Sequence, residues 1–399
     1  LSAFFWLVVC AFAESVLQCV FLTKEKRMSL KFNHIGTPGK MGFGVGVPSV
    51  VPDGFSPMDG SYDLESDNYG NFVYKDVSVM VYVPRFDVAF AEPGKPIFLR
   101  PGQATPNGAK RVQVPAFFNG GRWRPGFFID KYICSKNGNI ASSIKGGKVL
   151  SSRIRNDDKD TPFSSLGLDI QDNLGGAFYA AKTRGPRFFA SSIQMRHALG
   201  LVAMAQRQTA TVKTCRWLDS QHKWPAGCVS SLGQDGLPDL KYESDGTYKN
   251  CGKTGSANMP GAVSHNGQAN GVMDLSGIVW EVQSGIGERD GRYAIPASGE
   301  YLEDFESYQW VADTSVDLRF GPVGHVDPML IESTGFGGLI GQQTGAGYLW
   351  PSSNPPKGLC AIGGGAWDYG SSAGVWALTL NYARGLSSTA VGFRAASYL

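Results

Sequence analysis

The closing stretch of the chain, residues 363–394, reads GGGAWDYGSSAGVWALTLNYARGLSSTAVGFR. Within it, Val375, Ala377, Thr379 and Asn381 alternate with Trp376, Leu378 and Leu380, the period of two that sends neighbouring side chains to opposite faces of a strand. Leu378 and Leu380 suit a core. That leaves Ala377, Thr379 and Asn381 expected on display, with Asp368, Tyr369, Ser371 and Tyr382 in flanking loops. Trp376 is expected to pack inward and keep an edge exposed. The stretch finishes on Arg394, between Phe393 and Ala395-Ala396. Five N–H donors in an apolar strand are costly unless they clamp a carboxylate or backbone carbonyls.

The rest of the composition agrees with a strand-and-loop protein. Of 399 residues, 42% are hydrophobic, enough for one large core or two. Glycine is abundant (52) and charged residues are few (18%), which favours short elements, tight turns and long surface loops. The net charge of +3 is spread along the chain and the five histidines do not cluster, so neither nucleic-acid binding nor a histidine metal tract is expected. Seven cysteines lie far apart without a CxxC pair, which disfavours structural zinc and a disulfide scaffold. A single long-range pair, such as Cys215 with Cys228 or Cys251, fits the count. No catalytic triad motif and no glycine-rich phosphate loop is present, and no cofactor or metal is expected.

The first residues stand apart. Leu1–Phe12, LSAFFWLVVCAF, is apolar and precedes Ala11-Phe12-Ala13, which resembles a signal-peptide cleavage site, but it has no basic leader and is short for a membrane span. Lys24-Glu25 can be encoded by AAGGAG, a bacterial ribosome-binding sequence, at a suitable distance before Met28. Residues 1–27 are therefore expected to be translated upstream sequence, with a signal peptide or anchor as the alternative.

Further along, residues 28–84 are rich in Gly, Pro and Asp and read as a small N-terminal module, or the entry arm of the main domain, that ends in a strand, Val77 to Val83, stopped by Pro84. Gly126 to Ser135 reads as a strand with a bulky apolar face. Ser191 to Gln208 carries Ile193, Ala198, Leu199, Leu201, Val202 and Met204 at helical spacing behind serines that suit an N-cap, and is expected to pack on a sheet. Residues 214–262 lack periodicity and read as a long excursion; Ile278 to Val282 reads as a short strand.

Four segments in order resemble the formylglycine-generating-enzyme (sulfatase-modifying factor) type of C-type lectin fold. They are PGFFIDKYICS at 125–135, NGVMDLSGIVWEV at 270–282, GGAW at 364–367 and VGFRAAS at 391–397, with Asn270, Gly271, Asp274, Gly277, Trp280 and Glu281 as matches in the second. The resemblance implies a loop-rich α+β, C-type lectin-like domain over residues 85–399. In it Asp274, Trp280, Glu281, Gly364, Gly365, Trp367, Gly392, Phe393 and Arg394 would form a structural scaffold. The enzymes of this type carry two reactive, copper-binding cysteines between the last two motifs, whereas no cysteine lies between Trp367 and Phe393. Cys360 precedes the motif alone and reads as a small buried hydrophobe. The expectation is accordingly a protein without enzymatic activity, with an oxidase of this group as the alternative.

Residues 364–396 resemble, more narrowly, the variable regions of proteins diversified by retroelements, in which adenine-directed reverse transcription rewrites AAY codons on the binding face of such a domain. The resemblance implies a ligand-binding set of Asp368, Tyr369, Ser371, Ala377, Thr379, Asn381 and Tyr382, together with Leu386, Ser387 and Ser388. Tyrosine and asparagine suit recognition because aromatic rings bring contact area at low entropy cost. Residues 42–84, with Tyr69, Gly70, Asn71, Met80 and Pro84 as matches, resemble the segment ahead of such domains in bacteriophage tail-fibre proteins. The implied function is non-covalent binding of a host-cell surface protein or glycan by a virion component, with other virion proteins bound through the N-terminal module and oligomeric display raising avidity. A bacterial surface adhesin or lipoprotein with the same domain is the alternative.

Overall fold

The computed structural model describes residues 34–91, 96–153, 162–168, 174–209, 225–246, 250–296, 308–312, 349–350 and 355–399. The expected leader at 1–27, the cysteines Cys10, Cys19 and Cys215, and the glycine-dense stretch 321–345 lie outside these residues.

Among the described residues the fold is mostly β-sheet, loop-rich and poor in helix. In chain order the strands of the two larger sheets are β1 (Phe55–Pro57), β2 (Asn71–Tyr74), β3 (Val79–Pro84), β4 (Gly126–Asp130), β5 (Phe189–Ala190), β6 (Trp280–Val282), β7 (Leu349–Trp350), β8 (Ile362–Gly364), β9 (Gly374–Thr379), β10 (Val391–Gly392) and β11 (Ala395–Tyr398). The helices are α1 (Leu174–Lys182) and α2 (Ile193–Thr209). A six-stranded sheet runs β1-β2-β3-β4-β11-β5, and a five-stranded sheet runs β7-β9-β8-β6-β10. The last two strands thus belong to different sheets, and only Phe393 and Arg394 separate them.

Each expected strand is present, with its start or its end moved by backbone geometry. Val77 sits at φ 67°, in the left-handed region that L-residues avoid, so the chain is still turning there and β3 begins only at Val79. Ile278 at φ 59° delays β6 to Trp280 in the same way. The expected strand over 126–135 breaks after Asp130, and its remainder, Cys134–Asn137, pairs with Ile140–Ser143 in a hairpin of its own. The helix is where its apolar stripe placed it, one turn of α2 lying over β9 with Gly200 beneath the Trp376 ring.

Across the boundary expected at residue 84 the chain is continuous with the main sheet. β3 pairs with β4 over Met80–Pro84, and one hydrophobic core reaches from Ile35 through Phe72 and Phe128 to Tyr398. Residues 34–84 therefore supply half of the six-stranded sheet, because β3 needs β4 to satisfy the backbone groups that β2 leaves open. Phe128 is the hub, stacked on Phe55 at 4.2 Å and met edge-on by Phe72 at 5.5 Å. Of the excursion expected over 214–262, the described residues 225–246 and 250–262 are loops and turns. They cover a second apolar cluster that includes Tyr132, Leu240, Tyr242, Val263 and Val279.

Candidate functional site

Arg394 is 1% exposed, and all of its N–H groups are engaged. Its Nε and Nη2 donate to the two carboxylate oxygens of Glu281, a planar fork meeting a planar acceptor. Nη1 donates to the Asp130 carbonyl at 3.0 Å and Nη2 to the Met273 carbonyl at 3.0 Å. One side chain therefore ties the end of β4, the loop at 273–274 and β6 to the junction of β10 with β11. From the other side Arg196 of α2 donates to Glu281 Oε1 at 2.7 Å and to the Leu275 carbonyl at 2.9 Å. Burial, and then the neighbouring charge of Arg394, hold the Arg196 pKa below its usual range, while Glu281 raises it. For Arg394 the Glu281 carboxylate and the nearby acids outweigh burial and raise the pKa.

Asp274 anchors a second knot. It sits at φ 60° and accepts from the Gly255 N–H (2.6 Å), the Tyr242 hydroxyl (2.9 Å) and the Thr254 hydroxyl (3.0 Å). Burial still raises its pKa against these donors. Trp280 is 4% exposed and meets the Tyr369 ring edge-on at 5.0 Å. Gly364 and Gly365 adopt φ of 101° and 85°, and a Cβ on Gly365 would lie 2.5 Å from that of Ala373. Trp367 is half-buried with its N–H on the Ile278 carbonyl, Phe393 is buried against Phe163, and Gly392 passes too near the Leu150 carbonyl for a side chain. All nine expected scaffold residues thus lie in or against the buried frame.

The expected binding set divides. Asp368, Tyr369 and Ser371 are exposed in the turn that joins β8 to β9, and Asn381 and Tyr382 are exposed just past the other end of β9. Ala377 and Thr379 are buried, at 0% and 4%, which corrects their expected display. β9 lies between β7 and β8 and is buried along its whole length, so the face opposite Trp376 is covered as well. Trp376 is buried, its ring tilted against that of His197 of α2 with centroids 5.3 Å apart. Leu386 is half-buried against the main core. Ser387 is exposed but donates its hydroxyl to the Ser152 carbonyl at 2.7 Å, and the hydroxyl of the half-buried Ser388 accepts the Ala390 N–H, so both hold the return loop to β10. Six residues of strand separate the two exposed groups by about 20 Å.

Sequence reasoning missed Arg196 and Arg184. Arg184 clamps Asp130 with both terminal nitrogens, at 2.5 and 2.8 Å, and reaches Asp76 as well. The signal for Arg196 was present as a lone cation inside the apolar stripe of α2. Among the described residues Cys134, Cys228, Cys251 and Cys360 are buried and form no disulfide; burial pushes Cys360 up to about 12. Among the described residues no three or more His, Cys, Asp or Glu side chains gather where a metal ion could sit, and no helix is long and apolar enough to cross a membrane.

No protein-family model matches the chain, and no curated protein matches it. Among solved structures it is similar to the Major Tropism Determinant I1 variant at 13% identity and a TM-score of 0.31, over 82% of this chain and 63% of that one. The M1 variant follows at 13% identity, TM-score 0.32, over 80% and 63%. PvdO from Pseudomonas aeruginosa is similar at 14% identity, TM-score 0.33, over 82% of this chain and 98% of that one. The chain thus spans just under two thirds of the tropism determinants' length.

Proposed function

We propose that this chain is a receptor-binding protein of C-type lectin-like, formylglycine-generating-enzyme type, acting by non-covalent adhesion without catalysis. Its closing region is a retroelement-diversified face, its partner a host-cell surface protein or glycan, and its place the virion. The observation that carries this reading is the contrast within residues 363–394: the motif residues are locked into a buried charged frame, while Asp368, Tyr369, Ser371, Asn381 and Tyr382 project from it. A frame of that kind tolerates exchange of its outward side chains, because their contribution to packing is small. Tyr369 and Tyr382, at 38% and 40% exposure, supply the rigid aromatic area that a recognition surface uses. Replacing the buried Ala377 or Thr379 is a different act, so the binding face is narrower than the sequence periodicity suggested.

The test is a library with positions 368, 369, 371, 381 and 382 randomised together, panned against bacterial cells. Retained thermal stability across the library, with new cell specificities among the recovered clones, is the expected result. Recovery of binders that carry the starting residues at all five positions, or general loss of folding, overturns the reading.

A further inference from the structure

A cavity of about 440 Å³ opens between two loops at the N-terminal edge of the fold, 34–42 and 62–69, and shares no residue with the closing region. Its apolar floor is lined by Met41, Leu64 and Tyr69, the last only 2% exposed. Gly42 makes the floor possible: it sits at φ 72°, and a Cβ there would come within 2.8 Å of the Tyr69 ring. At the mouth, Tyr62 is 49% exposed and held edge-on by the buried Phe72.

The polar groups around that floor are of mixed kind and nearly neutral together. Gly36 donates its N–H to His34 Nδ1 at 3.0 Å, which puts the imidazole proton on Nε2. Burial, and then the charge of Arg100, keep His34 below its usual pKa range, so it is a neutral donor at pH 7. Lys40 and Asp63 add one charge of each sign, while the hydroxyls of Thr37 and Tyr62 have no partner among the described residues. Among the lining residues an anion would meet Asp63 and one cation, Lys40, with Arg100 acting on His34 from outside the lining; a wholly apolar ligand would desolvate five polar groups without return. A sugar ring fits, since it offers a C–H face to the exposed Tyr62 ring at the mouth and hydroxyls that both donate and accept.

Both walls are braced before any ligand arrives. Gln206 of α2 accepts from the Gly39 N–H at 2.8 Å, and Gln268 accepts from Gly42 N–H at 2.8 Å while donating to the Lys40 carbonyl at 3.1 Å. The opposite loop is a chain of turns, with the Gly60, Asp63 and Ser66 carbonyls each accepting from the residue three further on. Preorganisation of this sort lowers the entropy lost on binding.

We propose that this cavity is a second binding site, for a neutral monosaccharide or the terminal unit of a glycan. It stands whether or not the closing region binds a receptor. Saturation-transfer NMR on the full chain with glucose, galactose, mannose, N-acetylglucosamine, cellobiose, lactose and chitobiose tests it. We expect transfer to the C–H protons of at least one of these sugars, weakened about tenfold in Tyr62→Ala, retained in Tyr62→Phe, and unchanged in Tyr382→Ala. Tyr62 is exposed, so its variants should fold, which a thermal melt checks. No transfer to any of the seven sugars by the unsubstituted chain overturns the proposal. Transfer that survives Tyr62→Ala, or that Tyr382→Ala abolishes, overturns it too.

Discussion

Glu281 is flanked by two buried guanidinium groups, so deleting Arg394 leaves the carboxylate with Arg196 alone and takes away the donor to its Oε2. Arg394→Met is expected to lower stability by ~3–5 kcal/mol, read from the denaturant midpoint, because the carboxylate loses one of two counter-ions and four backbone carbonyls each lose a donor at the same time. Lys131 raises a different question. It is 4% exposed, donates to Asn71 Oδ1 at 2.5 Å, and burial pushes its pKa down to about 7, with Asp67 opposing and Lys145 adding to the shift. Between pH 7 and the usual lysine range the unfolded chain holds a proton that the folded chain has released, so stability rises with pH across that window. Below pH 7 both states are protonated and the burial penalty is present in full. Lys131→Met should flatten the slope and leave the protein more stable at pH 6 than the parent, as urea titrations at pH 6, 8 and 9 would show. His265 contributes a slope of the same sign lower down. It is wholly buried between the Gly44 carbonyl and the Val272 N–H, and burial pushes its pKa down to about 4, so stability falls as pH drops from the ordinary histidine range towards that value. At this scale the sequence was informative about cost and silent about partners. An arginine beside Phe393 announces that it needs acceptors, but Glu281 is 113 residues away and nothing in local spacing selects it.

Within elements, β9 shows why a period of two is an incomplete guide. Alternation separates two faces, yet whether the second face meets water or another layer depends on the strand's place in its sheet. Ala377 and Thr379 are small enough to suit either setting, so composition did not distinguish them. Ala377→Tyr, a replacement that a displayed position would accept, is expected to destabilise the fold by ~1–3 kcal/mol through overpacking, while Asn381→Ala and Tyr382→Ala stay within about 0.5 kcal/mol. Differential scanning calorimetry of the three variants checks both halves. The contact of α2 with β9 gives a sharper case. A Cβ at Gly200 would lie 2.6 Å from the Trp376 ring, so Gly200→Ala should lose stability although alanine is the better helix former by ~1 kcal/mol. A gain in melting temperature would show that the ring can move aside. The helix itself was legible because its apolar stripe persists over about three turns; the breaks before β3 and β6 were not, because a left-handed Val77 or Ile278 is imposed by the surroundings against the residue's own preference.

At the scale of the molecule, Asp368, Tyr369 and Ser371 before β9 lie about 20 Å from Asn381 and Tyr382 after it. Under the proposed function, Tyr369→Ala and Tyr382→Ala should weaken cell binding independently, with free-energy changes that add within ~0.5 kcal/mol in a double-mutant cycle. Strong coupling between them would mean that one partner group touches both, or that the loops rearrange on binding. The same architecture explains why residues 34–84 are no separate module: their strands complete the sheet to which β4 and β11 belong. From the sequence alone came the mostly strand-and-loop character, the packing helix, the need of Arg394 for buried acceptors, and the loop positions of Asp368, Tyr369 and Tyr382. These follow from periodicity, turn chemistry and the price of an unpaired charge, all of which act locally. Only the tertiary structure decided which carboxylate meets Arg394, that Arg196 shares it, that β9 is interior, and that a braced cavity lies between the 34–42 and 62–69 loops. Each of those depends on segments far apart in the chain arriving at one place, and burial is a property of that arrival, which no single stretch of residues carries.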